Sequence, residues 1–202
     1  MPDIEERQGG IKMRICIDPG HSGPCEPGAC AGGVTEAAIV LQVAKIAARI
    51  LTDRGYQVKL TREDDIEDDA LSWRAEVAWR FRADVFISLH CNAAENTAAR
   101  GTEVFYYPTS ESGRDLARSI QTELVANCQT DDRGVKTNDT WTVLEETACP
   151  AVLVEMAFLS NDRDREMLTD RFLQRQFAVG IVKGIEKFAQ GGPLFAGMLN
   201  HG

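Results

Sequence analysis

Three short apolar runs constrain the fold of this chain more than anything else in it: RICID (14–18), DVFISLH (84–90) and PAVLVE (150–155). Each is too short for a helix and almost unbroken in its apolar character. A strand with one wet face alternates apolar and polar residues; a strand that does not alternate belongs in a sheet covered on both sides. QVKLTR (57–62) and TEVFYY (102–107) read as two further strands. Between the first two strands Ile39, Val43, Ile46 and Ile50 recur at helical spacing, and Gly55 stands where a helix C′ glycine belongs. Further helices are predicted over about 71–82, over 112–127, where Leu116, Ile120 and Leu124 share a face, and over 171–189, with Phe172, Phe177, Ile181 and Ile185. The stretch 128–142 is polar and turn-rich. Strands alternating with helices predict an α/β fold: a single domain with a largely parallel central sheet and helices on both faces.

A chain of 202 residues holds one sizeable core but not two ordinary domains with a linker. Residues 1–13 read as an N-terminal extension or cloning scar, 14–189 as the folded domain and 190–202 as a C-terminal tail. The 31 acidic side chains outnumber the 22 basic ones, and the net charge of −9 disfavours nonspecific binding to nucleic acid or to an anionic membrane surface. No apolar run approaches the roughly 20 residues of a membrane span. The opening MPDIEERQGG is acidic and has no apolar h-region, so no signal peptide is expected in this chain. The six cysteines, 16, 25, 30, 91, 128 and 149, are scattered through a chain with enough core to fold without staples, which predicts free thiols.

The apolar runs share a second property, which is that their carboxyl ends carry the chemistry. RICID runs out into the loop that holds His21, DVFISLH ends on His90, and PAVLVE ends on Glu155. Glu36 opens the helix that follows the His21 loop and so lies on the same edge of the sheet. Sites in open α/β sheets form outside the carboxyl ends of the strands. Two imidazoles and two carboxylates gathered there suit a catalytic zinc, which takes three nitrogen or oxygen ligands and leaves one position for water. Structural readings stand beside this one. His21 can be a turn residue, Glu36 can complement its helix dipole, and Glu155 can cap a helix or pair with an arginine. A thiolate site built from His21, Cys25 and Cys30 is a rival metal centre, and Cys91 or Cys25 activated by a histidine is a rival nucleophile.

Taken together, IDPGHSG, GACAGGVTEA, LTREDD, RAEVAWRFRADVFISLHCNA, RGTEVFYY, RGVK and PAVLVEMAFLSN resemble, in order and spacing, the zinc-dependent N-acetylmuramoyl-L-alanine amidases of the type-3 amidase family, over about 14–188. The resemblance implies that His21, Glu36 and His90 bind zinc and that Glu155 is catalytic. It also implies that 14–189 is the catalytic domain and that the substrate is peptidoglycan, cut between muramic acid and L-alanine. A zinc peptidase acting on the stem peptide, or a catalytically silent wall-binding module, would keep the same fold. Departures from the pattern are Ser22, the cysteine-rich PCEPGAC, Trp79 in place of a common asparagine, and Ala157 in place of a glycine. Regulated members of the family insert an occluding helix after the strand matching 102–107; here Pro108 leads almost directly into the next helix, so no obligate activator is expected. The protein is expected to act on the cell wall, either after release as a phage-type lysin or as a secreted protein cloned without its leader.

Overall fold

The computed structural model describes residues 13–67 and 71–191. The expected N-terminal extension and C-terminal tail lie outside the described residues, except for Met13, Gln190 and Gly191. In chain order the elements are β1 (Arg14–Pro19), β2 (Cys30–Ala31), β3 (Val34–Thr35), α1 (Glu36–Asp53), β4 (Gln57–Leu60), α2 (Leu71–Phe81), β5 (Val85–Asn92), β6 (Thr102–Tyr106), α3 (Glu111–Cys128), β7 (Asp132–Thr137), α4 (Thr142–Glu145), β8 (Ala151–Phe158), α5 (Asp162–Thr169) and α6 (Arg171–Gly191). Six strands form one sheet in the order β4-β1-β5-β8-β6-β7, while β2 and β3 make a small separate hairpin. All neighbours in the large sheet are parallel except β6 and β8, which are antiparallel.

The three apolar runs are the three central strands, β1, β5 and β8, and both of their faces are covered. Ile15, Ile17, Ile87, Leu89, Val152 and Val154 point to one face, where they meet Val40 of α1, Ile120 of α3 and Ile181 of α6. Cys16, Phe86 and Leu153, the intervening residues, point to the other face and meet Ala78 of α2 and Val143 of α4. The first layer is thick and apolar; the second is thin. The alternation the sequence lacks in polarity is therefore present in direction. It also fixes which face the polar strand ends must take, because Asp18, Ser88, His90 and Glu155 share the parity of Cys16, Phe86 and Leu153.

Five elements depart from the sequence expectation, β2, β3, β7, α4 and α5, and the reason is plain for two of them. The turn-rich stretch 128–142 contains β7, an edge strand (DRGVKT) whose polar composition and left-handed Gly134 hide the period-2 signal. Helix α5 (DRDREMLT) is mostly charged and owes its start to Asn161, whose side chain accepts a hydrogen bond from the Asp164 N–H at 3.1 Å. Packing of α6 on α3 depends on glycine: a Cβ at Gly184 would lie 2.5 Å from Ile120 Cα, and one at Gly180 would lie 3.0 Å from Leu124 Cα.

Gly184→Ala is expected to destabilise the protein, since the clash is with backbone and only a shift of α3 relieves it. Overpacking costs about 1–3 kcal/mol, against the ~1 kcal/mol that alanine's helix propensity returns. A lower midpoint in urea denaturation checks this, with Gly191→Ala, whose Cβ meets nothing within 4 Å, as the neutral control.

Candidate metal centre and active site

Beyond Pro19 the chain leaves β1 and turns sharply, with His21 in the left-handed region at φ 63. Two buried arginines hold this turn. Arg62 donates from Nε to the Pro19 carbonyl at 3.0 Å and from Nη2 to the carbonyls of Gly20 and Ala37, each at 2.9 Å. Arg74, 1% exposed, donates to the Pro19 carbonyl at 2.9 Å and the His21 carbonyl at 2.8 Å, and pairs with the buried Asp18 carboxylate. Asp18 accepts two further hydrogen bonds, from Thr61 Oγ1 and Ser88 Oγ, both at 2.6 Å. The His21 loop is thus set by side chains from β1, α2, β5 and the segment after β4.

Glu36 is the first residue of α1, whose N-cap is Thr35. Its Oε2 accepts from the Ala29 N–H at 2.9 Å, and its Oε1 accepts from the Cys91 N–H at 2.9 Å. The same Oε1 lies 3.0 Å from His21 Nε2 and 2.8 Å from His90 Nδ1. Burial opposes ionisation of Glu36, but the hydrogen bonds to His21 and His90 outweigh it and hold the carboxyl well below the usual range. His21, Glu36 and His90 each offer one donor atom, and the three atoms lie within 4.8 Å of one another. Glycines make room for them. A Cβ at Gly20 would lie 2.4 Å from His90 Nε2, and one at Gly28, itself at φ 68, would lie 2.5 Å from His21 Nε2.

The donor set fits a cation on its own chemistry. His21 Nδ1 sits 2.7 Å from both carboxylate oxygens of Glu26, so that nitrogen carries a proton. His21 Nε2 then faces a carboxylate oxygen that already faces the second imidazole. A bare lone pair cannot rest there; either a second proton or a metal ion must come between. Burial works against protonating His21, but Glu36 and then Glu26 raise its pKa.

Glu155 stands beside this group. It is the sheet partner of His90 on β5 and of Glu103 on β6. Its Oε2 is buried without a hydrogen-bond partner. Burial first, then the charges of Glu36 and Glu103, push its carboxyl well above the usual range. Glu103 differs: burial opposes its ionisation, but Lys136 and Arg133 both donate to its Oε2 and hold it low. Its other oxygen accepts from Asn92 Nδ2 at 2.7 Å. Glu155, His21, Glu36 and His90 all line one cavity of about 640 Å³, a size typical of substrate pockets. Leu71, Trp141, Val143 and Leu153 add apolar lining to the same cavity.

All four residues read from the sequence therefore come together. Among the described residues, the metal-competent cluster contains no cysteine. None of the six cysteines is paired: Cys25 and Cys30 are exposed, and Cys91 is buried, its thiol pushed well up by burial. The sequence reading missed Glu26, Arg62, Arg74 and Glu103. The arginines lie inside LTREDD and RAEVAWRF, the stretches that carry the resemblance, so the signal was present without a role attached to it. Glu26 had none, because the loop conformation alone brings it to His21.

The family model for N-acetylmuramoyl-L-alanine amidases matches residues 15–187. The chain belongs to this family. It is 36% identical over 172 residues to the N-acetylmuramoyl-L-alanine amidase LytC of Bacillus subtilis (strain 168); the match covers 84% of this chain but 34% of LytC, so the chain spans about a third of that relative. The crystal structure of an N-acetylmuramoyl-L-alanine amidase from Clostridium difficile 630 superposes with a TM-score of 0.85 at 31% identity, covering 91% of this chain and 100% of that one. The CwlD amidase from Clostridioides difficile, solved in complex with the GerS lipoprotein, superposes with a TM-score of 0.83 at 31% identity, over 89% of this chain and 99% of that one.

Removing Arg74 leaves Asp18 buried without its cation and takes a hydrogen bond from the His21 carbonyl, while the Pro19 carbonyl keeps its bond from Arg62. Breaking a buried pair from one side costs about 3–5 kcal/mol. Arg74→Met is expected to lose stability in that range, read as the shift of the urea midpoint at an unchanged slope.

Proposed function

We propose that this chain is a zinc-dependent hydrolase that cleaves the amide between N-acetylmuramic acid and L-alanine in peptidoglycan, with residues 14–189 as its catalytic domain. The observation that carries the reading is the pairing, in one cavity, of a His/Glu/His donor set with a carboxylate whose inner oxygen no protein group satisfies. His21 Nε2, Glu36 Oε1 and His90 Nδ1 would hold the ion, since two imidazoles and a carboxylate are a catalytic zinc set that leaves a position open. Zinc supplies Lewis acidity there, polarising a carbonyl and making water a stronger acid. Glu155 accepts a proton from the attacking water as the new carbon–oxygen bond forms. It returns the proton to the amide nitrogen as the carbon–nitrogen bond breaks, leaving a carboxylate on the lactyl group and a free amino terminus on L-alanine. Glu26 fixes the tautomer and orientation of His21 from behind. The buried arginines keep the His21 loop rigid through both proton transfers.

Turnover without an activator is part of the proposal. Strand β6 passes into α3 through Tyr107–Ser110, and Ser110 already caps the helix by accepting from the Gly113 N–H, so no occluding helix stands between the two. The family includes CwlD, solved with GerS, so the test must be run with the chain alone. Purified peptidoglycan is digested with and without a chelator, and the fragments are weighed by mass spectrometry. Free muramic acid carboxylates and L-alanine amino termini are expected, lost with chelator and restored by zinc. Cuts within the stem peptide would identify a peptidase, and no cuts at all a binding module.

Glu155→Gln is expected to lower kcat by about 10²–10⁴ while zinc content and melting temperature hold. A variant that is destabilised yet turns over at the parent rate would remove Glu155 from the chemistry. Glu26→Gln is expected to weaken zinc binding by about 10–100-fold, measured by competition with a chromogenic chelator.

A further inference from the structure

At the opposite end of the sheet from the candidate site, two unusual residues line one hollow. Trp79, on the last turn of α2, is 70% exposed, the most exposed large hydrophobic side chain among the described residues. Arg82, which ends that helix, sits at φ 54, in the left-handed region where glycine is the natural occupant. The turn is closed by the Arg82 N–H on the Trp79 carbonyl and the Ala83 N–H on the Ala78 carbonyl, each at 2.9 Å. The Arg82 side chain is exposed and has no hydrogen-bond or ion-pair partner among the described residues. With Arg14, Asp84, Thr147 and Ala148, these two residues enclose about 290 Å³. Of its lining residues, Arg14 and Asp84 already pair with each other at 3.3 Å.

The composition points to a ligand class. An obligate docking face presents contiguous apolar surface; here one aromatic ring stands among alanines, a hydroxyl, a thiol and charged groups. A single indole with hydrogen-bonding groups around it suits a sugar, whose C–H face stacks on the ring while its polar substituents reach the rim. A free guanidinium adds selectivity for a carboxylate.

We propose that this hollow is an accessory saccharide site for the N-acetylated glycan strand of peptidoglycan, with Trp79 as its stacking platform and Arg82 pairing with a lactyl carboxylate of the muramic acid residues. The choice of polymer rests on the amidase reading above. Hydrolysis of the amide leaves such a carboxylate on each processed sugar, so the site takes the product strand and keeps the protein on the wall after a cut. The route between the two sites is continuous in the fold. Leu71 and Val143 line the large cavity while Trp79 and Thr147 line the hollow, and all four belong to α2, α4 or the residues just after α4, on the thin face of the sheet. The length of β5 puts the sites roughly 20 Å apart.

The test is a calorimetric titration of the whole chain with two probes, peptide-stripped glycan strands and an uncharged N-acetylglucosamine oligosaccharide. The parent is expected to bind both, and the stripped strands more tightly. Trp79→Ala is expected to weaken both by about tenfold, with Trp79→Phe keeping most of the affinity. Arg82→Gly is expected to lose only the preference for the stripped strands, with a melting temperature equal to or above the parent's because the left-handed backbone is relieved. Equal binding by the parent and Trp79→Ala, or no binding of either probe by the parent, overturns the proposal. A change in self-association on Trp79→Ala without a change in saccharide binding also overturns it, in favour of a protein contact. Hydrolysis by the parent is scored in a separate assay. If it fails, the amidase reading falls and the titration still decides the hollow.

Discussion

The Glu36 carboxylate, 4% exposed at the start of α1, ties together three segments of the site. One oxygen holds the Ala29 amide of the glycine-rich loop; the other holds the Cys91 amide of β5 and faces both imidazoles. A buried carboxylate with this many partners is stable only if all of them stay in place, because each lost donor leaves negative charge in a medium that solvates it poorly. The loop, the helix start and the strand end are therefore fixed to one another by a single side chain. Its position at the positive end of α1 adds the helix dipole to the same balance.

Behind this group lies a second layer that is unusual for its charge. Arg62 and Arg74 are almost entirely buried, and most of their donors end on main-chain carbonyls of the His21 loop rather than on carboxylates. The main-chain carbonyls of this turn, with His21 at positive φ, take hydrogen bonds from these two side chains. The planar guanidinium, with several donors in a fixed fork, satisfies groups on β1, the loop and α1 at once. Asp18 balances one of the two charges from within the sheet. Lysine would offer neither the geometry nor the number of donors.

The central strands and the four site residues were legible because the physics that places them is local. Unbroken apolar runs mark strands covered on both faces, and their carboxyl ends mark the site. What the sequence hid depends on side-chain direction and loop shape. That Glu155 and Glu103 stand side by side follows from the antiparallel pairing of β6 on β8, which no periodicity in TEVFYY announces. Glu26 meets His21 only because five residues of loop fold back. Strand β7 and helix α5 were invisible because edge position and capping, not an apolar stripe, define them. The glycines of α6 look like helix weaknesses in the sequence and are revealed as contact points with α3 only when both helices are in place.

Three carboxylates stand close together, Glu103 and Glu155 as sheet partners on β6 and β8 and Glu36 at the start of α1, and their surroundings assign them different work. Glu36 is held ionised by two imidazoles, which suits a ligand. Glu103 is held ionised by Lys136 and Arg133, and through Asn92 it braces the end of β5, which suits a support. Glu155 has no cation of its own; burial and its two anionic neighbours raise its proton affinity. Three identical functional groups would titrate alike in water, whereas here the neighbours separate them. In the proposed reaction, the group left with an unsatisfied oxygen and a raised affinity for protons takes the proton from water and gives it up to the leaving amine. That proposal rests on what the other two carboxylates have already been given: Glu36 its imidazoles, Glu103 its lysine and arginine.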